Sequence, residues 1–301
     1  MGTAITVKNS ADQTLYLYND DFTSSAPVSP VVLKSKATTS IPMLVGDQKR
    51  LYVAAEPLKG SLEKGVKPDA FNPANDAGVE YSFFEYAYEP QNNRFTADLS
   101  YIDEFSFPLT LNFTNLGAYT GAQSGFEYGF NDLDPVIGNL RSRATAAQPW
   151  GALVWPEDPV TAWAPNPPYP DGLRRIVGPN KVWTQQRGTT NPVDPNYPGI
   201  GPWEPQSFFP FVKALPESGT QLFGAVTNWN GWQNGLNPKM PAPLPTTDPG
   251  TTGYVQALRA AATPDATGKY GFFAFPNDNR QGEFTYVPDT ANLRLTVQGL
   301  S

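Results

Sequence analysis

The chain reads as a mainly β protein, a β-barrel or sandwich, and three observations carry that reading. Of its 301 residues 40% are apolar and 13% aromatic, enough for a sizeable core, yet 26 Gly and 32 Pro interrupt it with turns. Only 16% are charged, below the roughly 25% of an average domain. Apolar runs are short and recur at about ten-residue spacing, the rhythm of a sandwich or barrel.

Ile5 and Val7 alternate with polar neighbours, as do Leu15 and Leu17, and Asn9-Ser10-Ala11-Asp12-Gln13 between them predicts a hairpin. Runs at 31–33, 41–45 and 51–55 extend the β region, and no helix is expected in the first 115 residues. The aromatic runs 81–88 and 95–103, joined by Glu89-Pro90-Gln91-Asn92-Asn93-Arg94, predict two neighbouring strands. Residues 107–113 predict a third strand in the same sheet.

Near residue 131 the character changes. Asp132, Asp134 and Pro135 suit a helix start, and Arg141 with Arg143 suits its end. All seven tryptophans lie between Trp150 and Trp232 in a proline-dense block that predicts a second lobe. Further helices are expected over 207–215 and 253–262. Residues 270–275 and 292–297 predict a closing pair of strands, with the chain termini sharing one sheet. The expected division is a β domain of residues 1–130 and 265–301, with 131–264 inserted as a smaller α/β lobe.

What is missing narrows the chemistry. Without histidine or cysteine the chain builds no Ser-His-Asp or Cys-His nucleophile, no imidazole or thiolate metal site and no disulfide. Acid–base work at neutral pH falls to Asp, Glu, Lys or Tyr, and neither metal nor cofactor is expected. The net charge is −7 and the basic residues are scattered, which argues against nucleic-acid or anionic-membrane partners. No stretch reaches the ~20 apolar residues of a membrane span. The N-terminus lacks signal-peptide regions, so secretion is expected only with a signal outside this sequence; the absence of cysteine fits the cytoplasm equally.

Glu85 stands among Phe83, Phe84 and Tyr86, where desolvation disfavours a charged carboxyl and suits a general acid. The competing reading is a residue on the solvated face of a half-buried strand. Asp103 ends the next run and Asp98 lies nearer the turn, so either could be a second carboxyl. A turn centred between Asn92 and Asn93 sets position 100 across from Glu85 and leaves Asp103 three positions on, about 10 Å at ~3.3 Å per residue. The tryptophans serve either as core or as platforms for sugar rings. Arg174-Arg175 reads as a solvated strand edge.

Phe84-Glu85-Tyr86, the run Asp98-Leu99-Ser100-Tyr101-Ile102-Asp103 and Phe107-Pro108-Leu109 resemble the catalytic region of the glycoside hydrolase family 64 β-1,3-glucanases, the laminaripentaose-producing type. Residues 173–179, 209–213, 270–279 and 293–299 resemble that family's middle and closing segments. The resemblance implies a thaumatin-like barrel with an α/β lobe and a wide groove between them. It implies inverting hydrolysis of β-1,3-glucan, with Glu85 as general acid and Asp103, rather than Asp98, as general base. Tyr86, Ala87, Glu89, Asp98 and Tyr101 are the implied substrate contacts, and a monomer is expected. Ala87 and Glu89 depart from the Thr and Asn that the family tends to place there. The alternative is a non-catalytic thaumatin-like glucan-binding or antifungal protein.

Overall fold

The computed structural model describes residues 4–19, 22, 29–70, 72–101, 103–119, 121–143, 150–155, 173–178, 254–273, 284–288 and 291–299. Its strands and α-helices are numbered in chain order. The fold is mainly β, as the short apolar runs predict.

One sheet joins β1 (Ala4–Asn9), β4 (Thr38–Pro42), β9 (Leu109–Thr114), β10 (Glu127–Gly129) and β15 (Asn292–Val297) in the order β10-β9-β15-β1-β4. The two ends of the chain meet here, with β1 parallel to β15 and Thr6 opposite Arg294. A second sheet runs β7-β6-β5-β2-β3, built from β2 (Leu15–Asn19), β3 (Val31–Leu33), β5 (Gly46–Ala54), β6 (Tyr81–Glu89) and β7 (Arg94–Ser100). At its edge β7 also takes β13 (Phe272–Phe273) in parallel and β14 (Phe284–Pro288) antiparallel. A small third sheet holds β8 (Glu104–Phe105), β11 (Val154–Trp155) and β12 (Arg175–Val177).

The two larger sheets face each other across one apolar core. Ile5, Val7, Leu111, Phe113, Leu293 and Leu295 of the first meet Phe84, Tyr86, Leu99 and Phe284 of the second. Phe113 and Tyr128 both set their rings against Phe284, at 4.8 and 4.6 Å between centroids. Such aromatic pairs add to the burial of apolar area, the main force joining two sheets. Neither large sheet closes on itself among the described residues, so the arrangement is a sandwich rather than a closed barrel.

The outer face of the second sheet differs along its length. At one end Tyr18, Phe22, Tyr52, Tyr81 and Phe83 form a separate aromatic cluster with Leu58. Leu58 directly precedes the short helix α1 (Lys59–Lys64). Burial along β6 therefore shifts from both faces at Tyr81–Phe84 to alternation from Glu85 onward. That change opens a polar patch on an otherwise covered sheet.

Four expectations are corrected. Residues 4–9 and 15–19 form no hairpin, because the chain crosses between sheets at Asn9. Its side-chain amide donates to the carbonyls of Gln13, Leu33 and Lys34, and its Oδ1 accepts from the Ala11 N–H, which satisfies a turn that ladder bonds do not. Residues 109–114 join the first sheet instead of continuing the second. The predicted closing pair is split, since β13 extends β7 whereas β15 lies between β1 and β9. A helix, α1, does occur before residue 115; Gly65 ends it in a left-handed conformation and returns its N–H to the last turn.

The two helices expected at 132–143 and 253–262 are present as α2 (Asp134–Ser142) and α3 (Tyr254–Ala260). Asp134 and Pro135 open α2 as the N-terminal signal requires, and Val136, Ile137 and Leu140 turn inward. These residues, with Ile176, Val177, Tyr254 and Leu258, belong to the same apolar core as the two large sheets. The expected helix over 207–215, and the tryptophans beyond Trp155, lie outside the described residues.

Candidate active site

Three strands place one polar row on the outer face of the second sheet. Arg50 of β5 lies opposite Glu85 of β6, and Glu85 lies opposite Asp98 of β7. The sequence-based register is corrected here. The β6–β7 turn is a single 3-10 turn at Pro90–Asn92, closed by Asn93 with a left-handed φ of 50°, so Glu89 faces Arg94 and Asp98, not Ser100, faces Glu85.

Asp103 reaches the row by a different route. The chain leaves β7 at Ser100 and returns to β6, where the Ser106 N–H donates to the Tyr81 carbonyl at 3.0 Å. The Ser82 hydroxyl oxygen accepts from the N–H groups of Ser106 and Phe107 at 3.0 and 2.8 Å. β8 then pairs with β12, setting Glu104 opposite Val177. The Asp103 side chain is thereby brought to the Arg50 guanidinium.

Arg50 Nε donates to Glu85 Oε1 at 2.7 Å, and Arg50 Nη2 donates to Asp103 Oδ2 at 3.3 Å. The guanidinium is planar, so these contacts hold the two oxygens within about 8 Å, a span open to a pair of carboxyls flanking one glycosidic bond. All three side chains are partly open to solvent, with 23% exposure for Arg50, 22% for Glu85 and 25% for Asp103. Arg50 also lies over the Phe83 ring at 4.2 Å from its centroid. Burial opposes its charge, but Glu85, Tyr52 and Asp103 outweigh that and raise its pKa.

Further along the face Ala87 lies opposite Thr96, both half-buried. Glu89 accepts hydrogen bonds from Asn92 at 2.6 Å and Arg94 at 3.4 Å; the Asn92 contact above all lowers its pKa. Glu85, Ala87, Glu89 and Asp98 thus share one surface.

Tyr86 and Tyr101 do not join them, which corrects their expected place as sugar contacts. Tyr86 points to the opposite, core face of β6; its hydroxyl accepts from the Leu44 N–H at 3.0 Å and donates to Asn19 Oδ1 at 2.7 Å. Tyr101 is fully buried, its ring against Phe105 and Phe130, and its hydroxyl donates to the Leu109 carbonyl at 3.1 Å. Burial raises its pKa. The Tyr254 hydroxyl donates to the Tyr101 carbonyl behind the site.

The expectation for Arg174-Arg175 is corrected as well. Arg175 is buried, donates to the carbonyls of Ala77 and Val79 and lies 4.7 Å over the Tyr81 ring. The Tyr81 hydroxyl in turn donates to buried Glu104 at 2.5 Å, next in the chain to Asp103. Sequence reasoning passed over Arg50. Its one legible signal was alternation, which puts it on the same strand face as Tyr52 and Ala54. Among the described residues no group of three or more Asp or Glu side chains is placed to hold a metal ion, and no helix is long and apolar enough to cross a membrane.

A family model described as β-1,3-glucanase matches residues 3–174. No curated protein matches the chain. Among solved structures, the laminaripentaose-producing β-1,3-glucanase of glycoside hydrolase family 64 from Paenibacillus barengoltzii, complexed with laminarihexaose, has a TM-score of 0.50 at 13% identity. That match covers 99% of this chain and 75% of that one. A second structure of the Paenibacillus enzyme scores 0.49 at 14% identity with the same coverage. A β-1,3-glucanase domain from Clostridium beijerinckii scores 0.42 at 13% identity, covering 99% of each chain. At 13% identity the first of these likenesses speaks to the fold alone. The family model reaches further, because its match takes in Arg50, Glu85, Asp98 and Asp103 and spans more than half of the 301 residues, and on that match the chain belongs to the β-1,3-glucanase family, glycoside hydrolase family 64.

Proposed function

We propose that this glycoside hydrolase cleaves β-1,3-glucan with inversion, Glu85 acting as general acid and Asp103 as general base. The observation that supports this most is the pair itself: two carboxyls from distant chain positions bonded to one guanidinium on an open sheet face. In the reaction Asp103 takes a proton from water, the water oxygen bonds to the anomeric carbon, and the bond to the leaving oxygen breaks as that oxygen takes the proton of Glu85. A glucan lying over the row expels water from around the two carboxyls. Ala87, Thr96 and Glu89 then line its path along β6 and β7.

Asp98 is the nearer carboxyl in register, but Asp103 shares the Arg50 contact with Glu85, and the family resemblance assigns it the base. Because a polysaccharide does not cross membranes, the same reading makes the protein extracellular.

Laminarin incubated with the wild type yields new reducing ends, and NMR shows the α-anomer first. Glu85→Gln and Asp103→Asn each lose about 10²-fold or more in kcat. Binding of laminarin with no reducing ends would replace this reading with that of a glucan-binding protein; a β-anomer appearing first would rule out inversion.

A further inference from the structure

We infer that Arg50 is a positioning residue: it holds Glu85 and Asp103 at a fixed separation and sets one positive charge between them. The inference rests on the two-carboxyl reading above and names the residue that makes it workable.

The charged and titratable groups around Arg50 come from several elements. Glu85 faces it from β6, Asp98 stands one strand further, Asp103 arrives from the loop before β8, and Tyr52 adjoins it on β5. Buried Tyr254 of α3 interacts with Asp103 from behind, and buried Glu104 interacts with Tyr52. Carboxyls outnumber cations in this set. Directly opposed like charges on neighbouring strands, as at Glu85 and Asp98, repel each other and spread. One guanidinium sits between the two carboxyls of the catalytic pair, so its positive charge acts on both at once.

The geometry adds direction to charge. Nε and Nη2 belong to one rigid plane, so bonding Glu85 through one and Asp103 through the other sets the separation of the two carboxyls as well as their charge. The plane is itself held against Phe83. Lysine would supply the charge from a flexible stem but not the fork.

Arg50→Met keeps the apolar contact with Phe83 and removes charge and fork together, whereas Arg50→Lys keeps the charge. For Arg50→Met, kcat on laminarin falls about 10²-fold with a smaller change in KM, and the whole pH–rate profile moves up by about one pH unit. For Arg50→Lys, kcat falls but the profile stays in place. A folded Arg50→Met protein whose profile does not move overturns the inference.

A second measurement is independent of turnover. In thermal unfolding at pH 7, Arg50→Met lowers Tm in the wild type and lowers it by less than half as much in the Glu85→Gln, Asp103→Asn background. An equal loss in both backgrounds shows that Arg50 does not engage the pair and overturns the inference by itself. If the wild type leaves laminarin uncleaved while this coupling is present, the hydrolase reading fails and the positioning role stands.

Discussion

The backbone N–H of Gly178 donates to the backbone carbonyl of Asp103 at 2.6 Å. Seventy-five positions separate the two residues, and this bond continues the pairing of β12 with β8. A carboxyl that belongs by sequence to the end of β7 is thus anchored by a strand from the middle of the chain. The orientation of Asp103 toward Arg50 depends on that edge.

Gly178→Pro removes the donor and leaves the Asp103 carbonyl without this partner, whereas Gly178→Ala keeps the N–H. Loss of one such bond costs about 1 kcal/mol of stability, a fall of a few degrees in Tm. The expected effect on laminarin hydrolysis is larger, about tenfold or more in kcat, because a small displacement of the base is amplified in the rate. Steady-state kinetics of the two variants beside their melting curves checks this. Equal kcat for both means that β12 does not position the base.

Asp98 and Asp103 are the two candidates for the second carboxyl, and they make different predictions. Asp98→Asn preserves the shape of the row and leaves the Arg50 bridge in place, so its kcat stays within about tenfold of wild type, while Asp103→Asn loses about 10²-fold or more. Side-by-side rates on laminarin, with azide added to restore a missing base, distinguish them. Rescue of Asp98→Asn instead of Asp103→Asn would exchange the two assignments.

Asp265 provides a pH prediction away from the site. Burial alone would raise its pKa, but hydrogen bonds from the hydroxyls of Thr267 and Tyr128 and the N–H groups of Lys269 and Thr267 outweigh it and lower the value. A carboxyl with a lowered folded-state pKa stabilises the fold above its unfolded value of about 4, and that contribution fades as pH falls through the folded value. Asp265→Asn therefore lowers Tm at pH 6, and the gap to wild type narrows steadily below about pH 4. Melting curves across pH 2.5–7 measure it, and a gap independent of pH contradicts the assignment.

Local patterns were legible wherever local physics decides the outcome. The alternation of 292–297 and of 81–88 marked real strands, and the charge and proline signals of 132–143 marked a real helix. Pairing partners were less legible. Residues 107–113 have the apolar content of a strand in either large sheet, and only the turn after β8 sends them to the first. The tight turn at Pro90–Asn92 moved the β6–β7 register by two positions, which keeps every side chain on its face but changes its neighbour. Tyr86, adjacent in sequence to Glu85, points into the core because successive side chains of a strand alternate, whereas Tyr101, just past the end of β7, is buried against Phe105 and Phe130.

Composition and short-range pattern were sufficient to establish a mainly β chain, an acid–base chemistry left to Asp, Glu, Lys or Tyr because histidine and cysteine are absent, and three acidic residues worth following, Glu85, Asp98 and Asp103. The tertiary structure alone decided that Arg50 stands between Glu85 and Asp103, that Asp98 is the cross-strand neighbour of Glu85, and that β12 secures Asp103. The reason is the range of the forces involved. Turn, strand and helix preferences act over a few residues, whereas an ion pair joining positions 50, 85 and 103 exists only after three separate segments have been brought side by side by burial of their apolar faces.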